Sequence, residues 1–283
     1  MMVEEIPLVF ECQGASLIGI VHRPNAPTAR GILSVVAGGP QYRGGCCRQL
    51  IYMARSLAES GIPVMRFDYR GMGDSSGPFR GFQHVEEDLG AALQAFAQAV
   101  PGLKEVILWG GCDAASAILI HAHRYPIVTG MVLGNPFAHS EETRAAVERN
   151  YYLNRLRDKV FWKKVFSLRF NPLPAIRSVT RAFGGQRKPV AGENITANTN
   201  VPFTARMLDG LKRFQGSILL MMSGQSLTAL EFDELTEGSA EWRKALKSAH
   251  IERVDIEDAD QVFSTVEARG KTLVAARAWL SRF

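Results

Sequence analysis

Glu105-Val106-Ile107-Leu108-Trp109-Gly110-Gly111-Cys112-Asp113-Ala114-Ala115-Ser116-Ala117-Ile118-Leu119-Ile120 is the stretch on which the fold turns. A short apolar run, too brief for a buried helix, breaks at two glycines and resumes as an alanine-rich, helix-forming segment. The pattern predicts a strand, a sharp turn and a helix, with the thiol of Cys112 on the turn. Gly110 and Ala114 stand two positions either side of Cys112. That is the spacing of a nucleophile elbow, with Cys in place of Ser and Ala in place of the second Gly. Small neighbours have a mechanical reason, because a turn that thrusts its central side chain outward would drive bulkier ones into the adjacent strand and helix. A thiol at a helix N-terminus also feels the helix's partial positive charge, so the expectation here is a favoured thiolate. The competing reading is an ordinary buried cysteine in a tight turn.

Working outward, residues 63–68 read as a strand followed by the turn Tyr69-Arg70-Gly71-Met72-Gly73-Asp74-Ser75-Ser76-Gly77. Residues 31–37 are a fully apolar run typical of a buried strand, entering a glycine-dense loop at 38–45 and then a helix at 47–60. A helix at 84–99 precedes the central stretch, and a strand at 130–135 follows it. Residues 6–12 and 16–22 form a predicted hairpin. Farther on come a strand at 216–222, a helix near 239–248, a strand at 252–256 and a final helix over 265–282. Strands alternating with helices imply a mostly parallel sheet covered by helices. Ligands on such sheets bind outside the carboxyl ends of the strands. The 38–45 loop, the 69–77 turn and Cys112 all follow strands, so they are expected to share one rim.

The 283 residues suffice for one large α/β domain; 46% are hydrophobic and 22% charged, ordinary for a globular chain. No stretch reaches the roughly 18 consecutive apolar residues of a membrane span. The first ten residues carry Glu4 and Glu5 and lack a signal-peptide pattern, so the expected location is cytoplasmic. Four cysteines, Cys12, Cys46, Cys47 and Cys112, are too few and too irregular for a disulfide scaffold or a zinc site, and no metal or organic cofactor is expected. Charge is uneven. Residues 141–190 hold twelve bases against four acids, while the whole chain is only +5. Within that block, residues 150–170 interleave aromatic and cationic side chains, as Phe161-Trp162-Lys163-Lys164 shows. Such a segment suits peripheral contact with an anionic membrane at its inner face, or a lid with solvated bases over an acyl substrate. No nucleic-acid module accompanies the charge.

Taken together, Gly38-Gly39-Pro40-Gln41-Tyr42-Arg43, Arg66-Phe67-Asp68-Tyr69-Arg70-Gly71-Met72-Gly73-Asp74-Ser75, Gly110-Gly111-Cys112-Asp113 and Leu227-Thr228-Ala229-Leu230-Glu231-Phe232 make the chain resemble the α/β-hydrolase superfamily. More narrowly, it resembles the exosortase A system-associated hydrolases. The resemblance implies an α/β-hydrolase fold: core over 1–139, an inserted basic helical lid over 140–210, and the rest of the core over 211–283. It also implies Cys112 at the nucleophile position, with the Asp113 backbone N–H as one oxyanion donor and Gln41 in the 38–45 loop as the second. The acid position falls on Ser226 and the histidine position on Gln261, within Asp258-Ala259-Asp260-Gln261-Val262-Phe263.

Both supporting triad members are therefore expected to be replaced. A glutamine amide does not take up a proton near neutral pH, and serine supplies no fixed negative charge to an imidazole. Cysteine depends less on a base than serine does. His84 and His139, both expected at the rim, are the candidate substitute bases; His121 and His123 fall deep in the elbow helix, and His22 and His250 on peripheral elements. Two functions remain in view. One is an ester or thioester hydrolase, or an acyltransferase, using Cys112 on a small acyl substrate. The other is a catalytically inactive protein binding a ligand or partner through the same pocket.

Overall fold

The computed structural model describes residues 2–25, 28–39, 41–139, 201–248 and 250–282, and these belong to one unit, Met1–His139 with Ala197–Phe283. Eight described strands form a single sheet: β1 (Val3–Cys12), β2 (Ala15–Pro24), β3 (Arg30–Ser34), β4 (Val64–Asp68), β5 (Glu105–Gly111), β6 (Val128–Gly134), β7 (Ser217–Ser223) and β8 (Ile251–Ile256). Their spatial order is β1-β2-β4-β3-β5-β6-β7-β8. β1 and β2 form the predicted hairpin, β2 meets β4 antiparallel, and every later pairing is parallel. Flanking helices are α1 (Gln49–Glu59), α2 (Glu86–Ala99), α3 (Asp113–His121), α4 (Phe203–Arg213), α5 (Leu227–Gly238), α6 (Ala240–Leu246) and α7 (Val266–Leu280). This is the α/β-hydrolase architecture that the sequence motifs imply.

Burial follows the patterning. β1, at the sheet edge, alternates exposed and half-buried side chains, whereas Val106, Ile107 and Leu108 of central β5 are wholly enclosed. β5 therefore delivers Cys112 from the middle of the sheet. The 31–37 apolar run is shorter as a strand than expected, because β3 ends at Ser34, although the Val35 N–H still donates to the Trp109 carbonyl at 2.8 Å. α5 was not anticipated. Its buried positions include Thr228 and Thr236 beside Ala229 and Phe232, so an apolar count misses the face.

The inserted segment from 140 to 200 lies outside the described residues, and with it the basic lid and the 150–170 stretch. The core resumes ahead of the expected boundary at 211, since α4 is part of it. At Gly210 a Cβ would lie 2.0 Å from the Leu119 carbonyl oxygen, so glycine lets α4 press onto α3. At the front of α4, Phe203 stacks on Phe137 with centroids 5.9 Å apart and meets Phe82 edge-on at 5.5 Å.

At the carboxyl end of the sheet, Asn135 ties three segments together. Its side-chain oxygen accepts from the Ser223 N–H at 2.8 Å, and its amide donates to the Ser223 hydroxyl at 2.7 Å and to the Gln261 carbonyl at 2.9 Å. It is fully buried, with a positive φ of 44° that asparagine tolerates better than most residues. Replacing Asn135 with Ala leaves the buried Ser223 N–H and Gln261 carbonyl unpaired. We expect a loss of about 2–4 kcal/mol in denaturant unfolding; a loss below about 1 kcal/mol would show that the tie matters little.

Two enclosed histidines set an acid limit. Burial pushes both His22 and His121 down to about 4. Their folded-state values lie below the unfolded value near 6.5, so the unfolded chain binds protons that the folded one refuses. Stability is thus full above pH 6.5, falls as the pH drops below it, and stops falling on this account near 4. Each histidine is expected to cost about 2 kcal/mol at pH 5. A His22→Gln variant losing as much stability as the parent between pH 7 and 5 would refute the assignment.

Candidate active site

Cys112 occupies the predicted elbow with φ 53° and ψ −127°, a conformation that L-residues rarely adopt. Hydrogen bonds on both sides hold it there. The Cys112 N–H donates to the Gly134 carbonyl at 2.8 Å, and its carbonyl accepts from the N–H groups of Phe137 and Ala115, each at 3.1 Å. Tight packing accounts for Gly110, where a Cβ would lie 2.7 Å from Ile118 Cδ1 and 3.1 Å from the Ala114 Cβ. The turn presents Cys112 to a cavity of about 270 Å³, which Gln41 and Gln261 also line. The sulfur is not sealed in packed hydrocarbon.

Asp113 does more than its backbone suggested. Its carboxylate accepts from the Gly38 N–H at 2.7 Å, fastening the 38–45 loop to the elbow. The far end of that loop is fastened at Arg43. Buried Asp68 accepts from both the Arg43 N–H and its guanidinium, and Arg66 donates to the Arg43 carbonyl at 2.9 Å. The 69–77 turn closes over the same carboxylate: the Asp74 N–H donates to Asp68, and a Cβ at Gly73 would lie 2.4 Å from an Asp68 oxygen. Asp68 is therefore the hub of this turn. The Gln41 side chain folds back on Cys46, its amide nitrogen 3.3 Å from that sulfur.

Gln261 and, through it, Ser226 are linked to the thiol. Gln261 Nε2 donates to Cys112 Sγ at 3.3 Å, while its Oε1 accepts from the hydroxyls of Thr228 at 2.8 Å and Ser226 at 3.3 Å. Ser226 also caps α5, accepting from the Ala229 N–H at 3.2 Å. The sequence thus placed Ser226, Gln261 and Cys112 in one chain of contacts. It missed Thr228, which lies inside the quoted Leu227–Phe232 motif and becomes legible once that motif is read as the first turn of a capped helix.

The favoured thiolate is overturned. Burial pushes Cys112 up to about 11, and the nearby Asp113 carboxylate adds to the rise. The Asp113 N–H and the Gln261 amide pull the other way and are outweighed. A helix N-terminus contributes a partial charge, whereas burial and a full charge on the adjacent residue oppose ionisation more strongly.

Among the described residues no imidazole hydrogen-bonds to Cys112 Sγ. His84 lies in the 3-10 turn Phe82–His84, where burial and the charges of Arg206 and Arg80 lower its pKa. His139 has its Nδ1 2.8 Å from Glu231 and its ring stacked on Phe137, the residue whose N–H meets the Cys112 carbonyl. His121 faces the Gln83 carbonyl, and His22 bonds Arg66. Asp258 pairs with Lys271, and Asp260 binds the backbone and hydroxyl of Ser264, so neither acid flanking Gln261 joins the thiol. Among the described residues there is also no cluster of three or more metal-ligating side chains.

The geometry agrees with comparison to known proteins. An esterase of Pyrococcus furiosus superposes with a TM-score of 0.65 at 14% identity, covering 99% of this chain and 93% of that one. A lid-less α/β serine hydrolase of Xanthomonas campestris gives 0.56 at 15% identity, covering 99% and 96%. A proline iminopeptidase of Mycobacterium smegmatis gives 0.59 at 14% identity, covering 98% of each chain. These identities establish a shared fold. No curated protein matches the chain. The sequence profile of the serine aminopeptidase S33 family matches residues 29–224, well over half the chain and spanning β3, the elbow and β7, so this protein is a member of that α/β-hydrolase family.

Proposed function

We propose that the protein is a slow ester or thioester hydrolase, or an acyltransferase, whose nucleophile is Cys112. In this reading Ser226 and Gln261 stand where the family has its acid and histidine. The observation that carries it is the Cys112 sulfur, placed on a strained elbow at a cavity and faced by the Asp113 N–H and the Gln261 amide. Nothing in the fold requires so costly a backbone for an ordinary buried cysteine. The finer likeness to exosortase A system-associated hydrolases rests on the turn and elbow motifs and forms part of this reading, as does membrane contact through 150–170. No helix among the described residues is long and apolar enough to cross a membrane.

The chemistry runs in two halves. Hydroxide removes the thiol proton, the sulfur bonds to the carbonyl carbon, and the oxygen takes the charge opposite the N–H groups of Asp113 and Gln41. Collapse breaks the bond to the leaving alcohol or thiol, which takes a proton from water. In the second half the water oxygen bonds to the thioester carbon while its proton passes to His139 Nε2, since Nδ1 is engaged with Glu231, and the carbon–sulfur bond then breaks. The departing sulfur recovers that proton. Rate is limited by ionisation: a thiol at about 11 is only about one part in 10⁴ thiolate at pH 7, against a few per cent for an unperturbed one.

One feature favours a second reading, a binding protein without turnover: the group beside the thiol is an amide and accepts no proton. A series of p-nitrophenyl esters and acyl thioesters, run on the parent and on Cys112→Ala, separates the two. The parent is expected to show turnover and an acyl adduct by intact mass, and the variant neither. Equal background rates in both would eliminate the enzyme. His139→Ala is expected to form the adduct and lose it about 100-fold more slowly; unchanged release would remove His139 from the mechanism.

The ionisation itself is measurable. Because the thiolate is the reactive form, iodoacetamide labelling of Cys112, followed on its own peptide, is expected to rise about tenfold per pH unit from 7.5 to 10. Levelling off between about pH 9 and 10 would show the thiol to be unshifted.

A further inference from the structure

The Cys112 cavity extends between the first turns of α1 and α7, where Gln49, Tyr52, Arg269 and Leu273 line it. Most of its wall is apolar. Among the described residues Arg269 is the one Arg or Lys on that wall, and among them it forms no ion pair with a carboxylate. It is held in place without being neutralised: its guanidinium carbon sits 5.0 Å above the centre of the Tyr52 ring, and its Nη1 lies 3.5 Å from the Cys47 carbonyl. A half-buried guanidinium with spare N–H donors beside an apolar hollow recognises a planar anion.

We propose that this cavity selects acyl groups that carry their own carboxylate at the end away from the ester, with the chain lying along the apolar wall and the anion on Arg269. The inference rests on reading the Cys112 cavity as the acyl site, and it names the substrate class of that site. Its volume of about 270 Å³, at about 30 Å³ for each water-sized group, holds roughly nine such groups. That matches an acyl chain of about six to eight carbons with its terminal carboxylate. Tyr52 covers one face of the guanidinium, which leaves N–H donors along its edge to meet the anion in plane.

The test measures binding, so its outcome is independent of turnover. Cys112→Ala protein is titrated calorimetrically with monomethyl suberate, which carries one carboxylate, and with neutral dimethyl suberate. The monoanion is expected to bind tighter by roughly tenfold or more, the factor of a hydrogen bond to a charged group. In Cys112→Ala/Arg269→Gln that ratio is expected to fall to near one, and in Cys112→Ala/Arg269→Lys to recover in part. Equal affinities in the Cys112→Ala protein, or a ratio that survives Arg269→Gln, would overturn the proposal. A thermal melt of each variant separates loss of selectivity from loss of fold, since an Arg269 that merely braces α1 would lower both affinities together. Should the monoanion bind selectively while no ester is turned over, the site stands and the hydrolase reading alone fails.

Discussion

The strained backbone of Cys112 is the constraint around which the carboxyl end of the sheet is arranged. A positive φ at a non-glycine residue persists only where surrounding contacts overdetermine it. Here the Gly134 carbonyl, the Phe137 N–H and the closely packed Gly110 and Ala114 do so. Because β5 lies inside the sheet, with β3 and β6 on either side, the turn has no freedom to relax sideways. It places Asp113 at the start of α3, where its carboxylate reaches Gly38 and draws the 38–45 loop over the sulfur.

Charge is spent on building the site rather than on activating the thiol. Asp113, Asp68, Arg43 and Arg66 are all committed to holding loops, and the carboxylate nearest the sulfur opposes its ionisation. A serine-type site holds an imidazole and its carboxylate beside the nucleophile. Here the side chain beside the sulfur is Gln261, its orientation set by two hydroxyls and its backbone by Asn135. The chain of side chains that ends on the thiol holds no group that accepts a proton near neutral pH. Among the described residues, His139 with Glu231 is the one carboxylate-paired imidazole joined to the elbow through Phe137.

Local pattern sufficed for the elements because hydrophobic period and glycine placement are local properties. The elbow at Cys112 and the parallel sheet are legible from residues close in sequence to the features they form, whereas Ser226 and Gln261 come into view only through the family resemblance. The favoured thiolate was not. It depended on how deeply the sulfur is enclosed and on a carboxylate turned toward Gly38, neither of which a motif contains.

The sequence by itself determined the architecture and the residue at the crest of the turn, and side-chain identity settles which groups there can accept a proton. Only the tertiary structure decided what those groups touch. Thr228 meets Gln261 across 33 residues, Asn135 meets it across 126, and Gln261 meets Cys112 across 149. Such contacts arise from the order in which strands enter the sheet, and burial, which sets the charge state of the thiol, is a property of the packed whole.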